Sequence, residues 1–152
     1  MFSGFFPATL DAKFRVIIPS VFRDLMLEHY TNKVTLTKDL RDPVIVVWPQ
    51  PVFQGLMDGF ASAPKWDRGM AKAQSFYIGN AYRQEFDGNG RVFIPEPLRQ
   101  HVALGRDVAV VGNIKNVQIW TADAWAAHER ELKEQGEVEG MLDALRRYNL
   151  NY

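Results

Sequence analysis

Two stretches decide how this chain folds: Asp11-Ala-Lys-Phe-Arg-Val-Ile-Ile-Pro-Ser-Val-Phe-Arg23 and Asp87-Gly-Asn-Gly-Arg-Val-Phe-Ile-Pro-Glu-Pro-Leu-Arg99, which superpose at an offset of 76 residues. Asp, Arg, Val, Ile, Pro and the closing Arg coincide, and apolar Leu10 matches apolar Phe86 just upstream. The likeness continues more loosely downstream, where Val44-Ile-Val-Val-Trp48 and then Pro51-Val-Phe53 answer Asn116-Val-Gln-Ile-Trp120 and then Ala124-Trp125. Self-similarity at a fixed offset marks a repeated structural unit. The chain is therefore expected to be two copies of one unit, about 1–76 and about 77–152, in a single domain, with helices from about residue 121.

Each copy reads as a β-hairpin, a short helix, further strand and a longer helix. Tyr82 to Phe86 alternates apolar with polar, Asp87-Gly88-Asn89-Gly90 is rich in residues that tolerate positive φ, and Arg91 to Ile94 leaves as the partner strand. Pro95 and Pro97 pre-set the first turn of a helix carrying Leu98, Arg99 and Val102. In the first copy Ser20 is the expected N-cap of a helix with Val21, Phe22, Leu25 and Met26 on one face. Pro51 opens a segment with Val52, Phe53, Leu56, Met57 and Phe60 on one stripe. Lys65 to Tyr77 places Trp66, Met70, Ala73 and Tyr77 similarly, and Gly79-Asn80 stops that helix. These stripes are expected to face a core. From Thr121, a candidate N-cap, the chain carries Trp125, Leu132, Val138, Met141, Leu142 and Leu145 among many charges, the pattern of one or two helices laid over the rest of the fold or against a neighbour.

Composition narrows the function. Of 152 residues 47% are hydrophobic, enough for a sizeable core. Lys plus Arg and Asp plus Glu each number 18, so no global charge recruits nucleic acid or an anionic membrane. There is no cysteine for a disulfide, a thiolate zinc site or a thiol nucleophile. Apolar runs such as Val44–Trp48 fall far short of the roughly 20 residues of a membrane helix. The first residues lack a basic region and meet Pro7 early, so a soluble, unexported protein is expected.

Catalytic constellations are missing. His29, His101 and His128 are widely separated, with no spacing that puts two metal ligands on one helical face. The chain has no nucleophile elbow and no Walker loop, and the Gly88-Asn-Gly90 turn enters a strand, so no helix N-terminus cradles a phosphate there. The expectation is a protein that is not an enzyme, with no metal and no cofactor.

The basic residues are better placed than their total implies. Residues 1–76 carry a formal charge of +2 and residues 77–152 carry −2, with the acidic excess in the C-terminal tail. That tail is either a solvated helix face or an acidic surface for a neighbouring protomer. Lys13 and Arg15 sit at the tip and exit of the first turn, and Arg91 is the second turn's equivalent of Arg15. Cations on a narrow projection can reach phosphates or base edges in a DNA groove. The other reading is that Arg15 and Arg91 pair with the acids that open each turn, Asp11 and Asp87. Arg23 and Arg99, one turn after the proline, are expected to tie the helix to its barrel or to a neighbouring subunit.

With both Asp-x-x-x-Arg turns in view, the chain resembles the MraZ family of bacterial transcriptional regulators, relatives of the AbrB-like swapped-hairpin DNA-binding domains. The resemblance rests on Met1-Phe2 and Gly4, Leu10-Asp11-Ala-Lys13, Arg15 with Ile18-Pro19, Arg23, Trp48-Pro49, Tyr77-Ile-Gly79, Phe86-Asp87-Gly88, Gly90-Arg91, Ile94-Pro95 and Leu98-Arg99-Gln100-His101. It implies an α+β fold, a double-split (swapped-hairpin) β-barrel made from the two repeats, with peripheral helices and a C-terminal helical segment. It also implies a cytoplasmic, nucleoid-associated regulator that assembles into a ring-forming homo-oligomer and binds promoter direct repeats of the division and cell-wall gene cluster. DNA contact carries over to Lys13 and Arg15, with Phe14 between them and Arg91 as pseudo-symmetric counterpart. Asp11, Asp87, Gly90, Arg23 and Arg99 take turn-forming and helix-docking roles.

Two positions depart from the family pattern. Phe14 stands where the motif usually has Gly, as at Gly90 of the second copy, and Ser3 stands at a position that is often basic. If residue 14 needs positive φ, phenylalanine is strained there by about 1–2 kcal/mol and the turn is expected to adopt another geometry. Phe14 is either an apolar anchor, against a base or a neighbouring protomer, or packs back on its own barrel. The rival to DNA binding is an oligomeric protein-interaction module on the same fold.

Overall fold

Val16 and Val92, one from each copy of the motif, face each other across a two-stranded antiparallel ribbon, and neither has any exposed surface. The ribbon consists of β2 (Arg15–Ile17) and β6 (Arg91–Phe93). Each strand is only three residues long, so the copies complete each other rather than close alone. The computed structural model describes residues 1–150, and the last two residues of the expected 1–152 span lie outside the described residues.

A six-stranded sheet lies behind the ribbon. Its strands are β1 (Phe5–Thr9), β3 (Lys33–Lys38), β4 (Ile45–Pro49), β5 (Tyr82–Glu85), β7 (Asp107–Asn113) and β8 (Asn116–Thr121), in the order β1-β7-β8-β4-β3-β5 with every pair antiparallel. Read from the middle outward, the order is two-fold symmetric in the repeats. Strands β4 and β8 meet at the centre, β3 and β7 flank them, and β1 and β5 form the edges. Each copy's first strand therefore pairs with the other copy: β1 with β7 of the second, and β5 with β3 of the first.

This corrects the simple hairpin expected from sequence. The Asp87–Gly90 turn does join β5 to β6, but β5 pairs with β3 and β6 pairs with β2. In the first copy the strands around the turn share only the isolated bridge Leu10–Val16. The reason is burial. Strand β2 or β6 hides its valine only when the ribbon forms across the two copies, a long-range gain that outweighs local pairing.

Inside the barrel, Val16, Ile18, Phe22, Met26, Val34, Leu36, Ile45, Val47, Val92, Ile94, Leu98, Val110, Val117 and Ile119 are fully buried. Phe22 is gripped edge-on by Phe2 at 5.9 Å and Phe6 at 5.2 Å between ring centres. Its helix α1 (Ser20–His29) follows β2 directly. Pro19, in extended backbone, precedes the helix, and its carbonyl accepts from the Phe22 and Arg23 N–H groups. Ser20 is thus the first helical residue and supplies no side-chain cap, contrary to expectation. Phe22 and Met26 face the core, whereas Val21 is exposed. Helix α4 (Glu96–Val102) repeats the arrangement after Pro95, burying Leu98 and Val102.

The sheet's other face is covered locally by α2 (Gln50–Ser62), which starts immediately after β4 and buries Phe53 and Phe60. Strand β3 is buried on both faces as a result. Its inward Val34 and Leu36 join the main core, while Thr35 donates a hydroxyl hydrogen bond to Gln50 and Thr37 accepts one from Trp48 Nε1 at 2.9 Å. Buried threonines are tolerated because each hydroxyl has a partner.

Helix α3 (Arg68–Gly79) is capped by Asp67, whose carboxylate accepts the Met70 N–H. It contains no buried residue, and Trp66 ahead of it is 82% exposed. The core-facing role expected for Trp66 and Met70 is therefore wrong: a hydrophobic stripe sets which residues share a face, not whether anything covers that face.

The chain divides into two units, Met1–Thr121 and the segment from Ala122. The second contains α5 (Ala122–Leu132) and α6 (Gln135–Arg147), neither with a buried residue. No helix among the described residues is long and apolar enough to cross a membrane. Phe22→Ala should cost about 3–5 kcal/mol, measured as a fall in the urea midpoint, because it removes a fully buried ring that two other aromatics contact.

Candidate nucleic-acid interface

Both Asp-x-x-x-Arg motifs form the same turn by the same bonds. Asp11 Oδ1 accepts the N–H groups of Lys13 (2.8 Å) and Arg15 (3.0 Å), and Oδ2 accepts Arg15 Nε at 2.9 Å. In the second copy Asp87 Oδ1 accepts from the Asn89 and Arg91 N–H groups, both at 2.9 Å, and Oδ2 accepts Arg91 Nε at 2.8 Å. Main-chain bonds Phe14 N–H to Asp11 O and Gly90 N–H to Asp87 O close the two turns. A carboxylate at the first position and an arginine at the fifth are needed because one side chain must satisfy two turn amides and a guanidinium together.

The two turns are also joined to each other. Arg15 Nη1 lies 3.8 Å from Asp87 Oδ2, and Arg91 Nη1 lies 3.9 Å from Asp11 Oδ2, so the four side chains form a closed quartet. Main-chain bonds reinforce it, with Ile18 N–H donating to Gly90 O at 3.1 Å and Ile94 N–H to Phe14 O at 2.9 Å. Both arginines still expose 26% of their side chains, so the quartet is open to solvent on one side.

Arg23 and Arg99 complete the symmetry. Arg23 Nε donates to Ile18 O at 2.9 Å and Arg99 Nη1 donates to Ile94 O, each reaching back five residues from its helix. From there each covers the other copy's turn. Arg23 lies where a Cβ on Gly90 would be, and the Arg99 guanidinium stacks 3.7 Å from the centre of the Phe14 ring.

Gly90 has φ +74° and Phe14 has φ +61°. Phe14 therefore adopts the same left-handed conformation as Gly90, its counterpart in the second copy, and the different turn geometry expected for it does not occur. The cation–π contact with Arg99 offsets part of the backbone strain. The residue is 44% exposed, so it neither folds away completely nor stands free. Lys13 at the tip is exposed and forms no ion pair among the described residues.

One feature of this face escapes a reading of the sequence. Alternation along the ribbon puts Ile17 beside Arg15 and Phe93 beside Arg91, both outward, at 52% and 42% exposure. The available signal is the period of two itself, which places residues 15 and 17, or 91 and 93, on one side.

Electrostatics follow the geometry. Burial tends to raise the Asp11 pKa, but the Arg15 and Lys13 N–H groups and the Arg15 guanidinium together hold it below the usual aspartate value. For Asp87 the Arg91 N–H is the leading cause of a lowered pKa, helped by the Asn89 N–H and the Arg91 side chain against desolvation. Among the described residues no group of three or more acidic or histidine side chains could hold a metal ion.

Comparison with known proteins points in one direction. The family model described as "MraZ protein, putative antitoxin-like" matches residues 77–147. The "Transcriptional regulator MraZ" of Thioalkalivibrio sulfidiphilus (strain HL-EbGR7) is 34% identical over 149 residues, covering 95% of this chain and 99% of that protein. The protein of the same name from Pseudomonas aeruginosa (strain UCBPP-PA14) is 34% identical over 147 residues, covering 96% and 97%. That of Alkalilimnicola ehrlichii (strain ATCC BAA-1101 / DSM 17681 / MLHE-1) is 30% identical over 145 residues, covering 95% and 97%.

Two outcomes test the geometry. Because both aspartates titrate below their unfolded value, the unfolded chain binds protons first as pH falls; the stabilisation that each turn's own amides and arginine give its aspartate is full above about pH 4 and disappears as pH drops through the folded pKa values. Urea midpoints measured from about pH 7 to about pH 2.5 should fall on the acid side, less steeply in Asp87→Asn, which is already weaker at neutral pH. Gly90→Ala should lose about 1–2 kcal/mol in the same assay, since it adds left-handed strain and displaces Arg23, whereas Phe14→Gly should stay within about 1 kcal/mol of the parent.

Proposed function

The chain belongs to the MraZ family, and from that premise we propose that it is a DNA-binding transcriptional regulator whose paired-turn face contacts promoter DNA. The observation that carries this reading is local charge. Lys13, Arg15, Arg23, Arg91 and Arg99 converge on two turns that hold only two carboxylates, Asp11 and Asp87, within a chain of zero net charge. In this reading Lys13 reaches phosphate, the exposed edges of Arg15 and Arg91 face the duplex, and Phe14 offers an apolar surface to a base or sugar. Asp11, Asp87 and Gly90 shape the turns, while Arg23 and Arg99 lock the helices to them.

The proposed target is direct repeats in the promoter of the division and cell-wall gene cluster, with the protein working in the cytoplasm on the nucleoid and needing no cofactor. The two repeats of residues 1–152 act as halves of one reading domain. A single barrel touches few phosphates, so a ring-forming homo-oligomer would raise affinity by effective concentration rather than by new interactions. A promoter reader of this kind is not an enzyme.

The exposed Phe14, Ile17 and Phe93 favour one other reading, a protein-interaction module that uses the same face. Binding to DNA from upstream of the protein's own gene, followed by fluorescence anisotropy across a salt series, separates the two. A DNA reader loses affinity steeply as salt rises. Lys13→Ala should weaken binding across sequences and make the salt slope shallower by about 0.9 for each phosphate that the bound protein no longer neutralises. No binding at low salt to that DNA overturns the proposal.

A further inference from the structure

The turn face is nearly, but not fully, two-fold symmetric. Asp11 and Asp87, Arg15 and Arg91, Val16 and Val92, Ile18 and Ile94, and Arg23 and Arg99 occupy matching places with matching bonds. The sheet order carries the same symmetry. The matched residues treat the two directions along a duplex alike, because turning the protein about its dyad exchanges one set for the other. A preferred direction has to come from the residues that break the match.

At the turn tips three pairs break the match, Ala12 with Gly88, Lys13 with Asn89 and Phe14 with Gly90, and the first pair differs by a single methyl group. The surroundings of the other two make their difference large. Lys13 is an exposed cation without an ion pair among the described residues, whereas Asn89 is an exposed neutral amide. The Phe14 ring stands over Arg99 with 44% of the residue exposed, whereas Gly90 is buried beneath Arg23. One turn thus presents charge and a ring held in place by a guanidinium, and the other presents little beyond backbone. Ile17 and its repeat counterpart Phe93 also break the match, but both are exposed apolar residues on the ribbon and differ mainly in size.

We infer that Lys13 and Phe14 are orientation-determining residues: they fix the direction in which this near-symmetric protein lies on its DNA. The inference rests on the DNA-binding reading above. Phosphate attraction through Lys13 and apolar contact through Phe14 act from the same turn, so they favour the same direction and their effects combine. The strained backbone of Phe14 fits this role, because a glycine would satisfy the turn while removing the difference between the two ends.

The chain has no cysteine, so a single introduced thiol can carry an iron–EDTA cleavage reagent. Ala12→Cys marks the first turn and Gly88→Cys the second, both at exposed positions. Each labelled protein is bound to a non-palindromic duplex from upstream of its own gene, shortened to one protected site. The Ala12→Cys label should cut one flank about tenfold more than the other, and the Gly88→Cys label should show the opposite bias. Adding Lys13→Asn and Phe14→Gly, which copies the second turn's own residues into the first, should weaken binding and, at protein concentrations raised until the duplex is again saturated, bring the two flanks within about twofold of each other. The single substitutions should give intermediate ratios, and urea midpoints close to the parent's would show that the turn still forms.

If the labelled protein with its native Lys13 and Phe14 binds this DNA but cuts both flanks equally, or if the double substitution binds and keeps the bias, the inference fails and the DNA-binding reading stands. If the double substitution folds but no longer binds, Lys13 and Phe14 supply affinity in either direction, and the inference again fails alone. If the unlabelled parent does not bind the duplex at low salt, both readings fail.

Discussion

The pairing of the two repeats, which buries Val16 against Val92, is fixed in place by an exchange of opposite charges across a pseudo-dyad. Asp11 and Asp87 each organise a turn with the arginine four residues on, and each also attracts the other copy's arginine. Exposed ion pairs taken singly contribute little. Here the pairs are tied to turn amides and to main-chain bonds from Ile18 and Ile94, so the geometry is fixed by several bonds at once. That position puts Val16 and Val92 face to face, and the ribbon they form covers the barrel's interior.

Much of this is legible in the sequence, and the parts that are not have physical reasons. The matching of residues 11–23 with 87–99 reveals the repeat, the turns and the short helices after each Ile-Pro. Pairing of the strands around each turn is not legible from local pattern, because β5 satisfies the same alternation against β3 as it would against β6. Ser20 reads as a cap from its residue type, but Pro19 already holds the extended backbone that starts the helix. Trp66 and Met70 share a helical stripe, yet a stripe carries no information on whether a partner lies against it.

The candidate interface divides in the same way. An acid and an arginine at the ends of each turn suit either locking or DNA, and the bonds show locking while leaving part of each guanidinium exposed. The quartet across the dyad is beyond any local reading, since it joins residues far apart in the chain. Phe14 is the hardest position: a bulky residue argues against a left-handed turn, but Arg99 from the other repeat supplies a contact that a local argument cannot include.

The exchanged strands also bear on synthesis. Phe5 finds its partner in Val111 and Arg15 finds its partner in Phe93, so the first strands to leave the ribosome wait for most of the barrel to be translated. Pairings this distant in sequence slow folding, because the intervening chain must be closed into a loop first. During that interval the first repeat carries an unpaired β2 and a β3 edge open to any strand of suitable pattern, including the same segment of a chain made on a neighbouring ribosome. A repeat that the other copy in its own chain completes is thus also a segment open, while nascent, to the wrong copy.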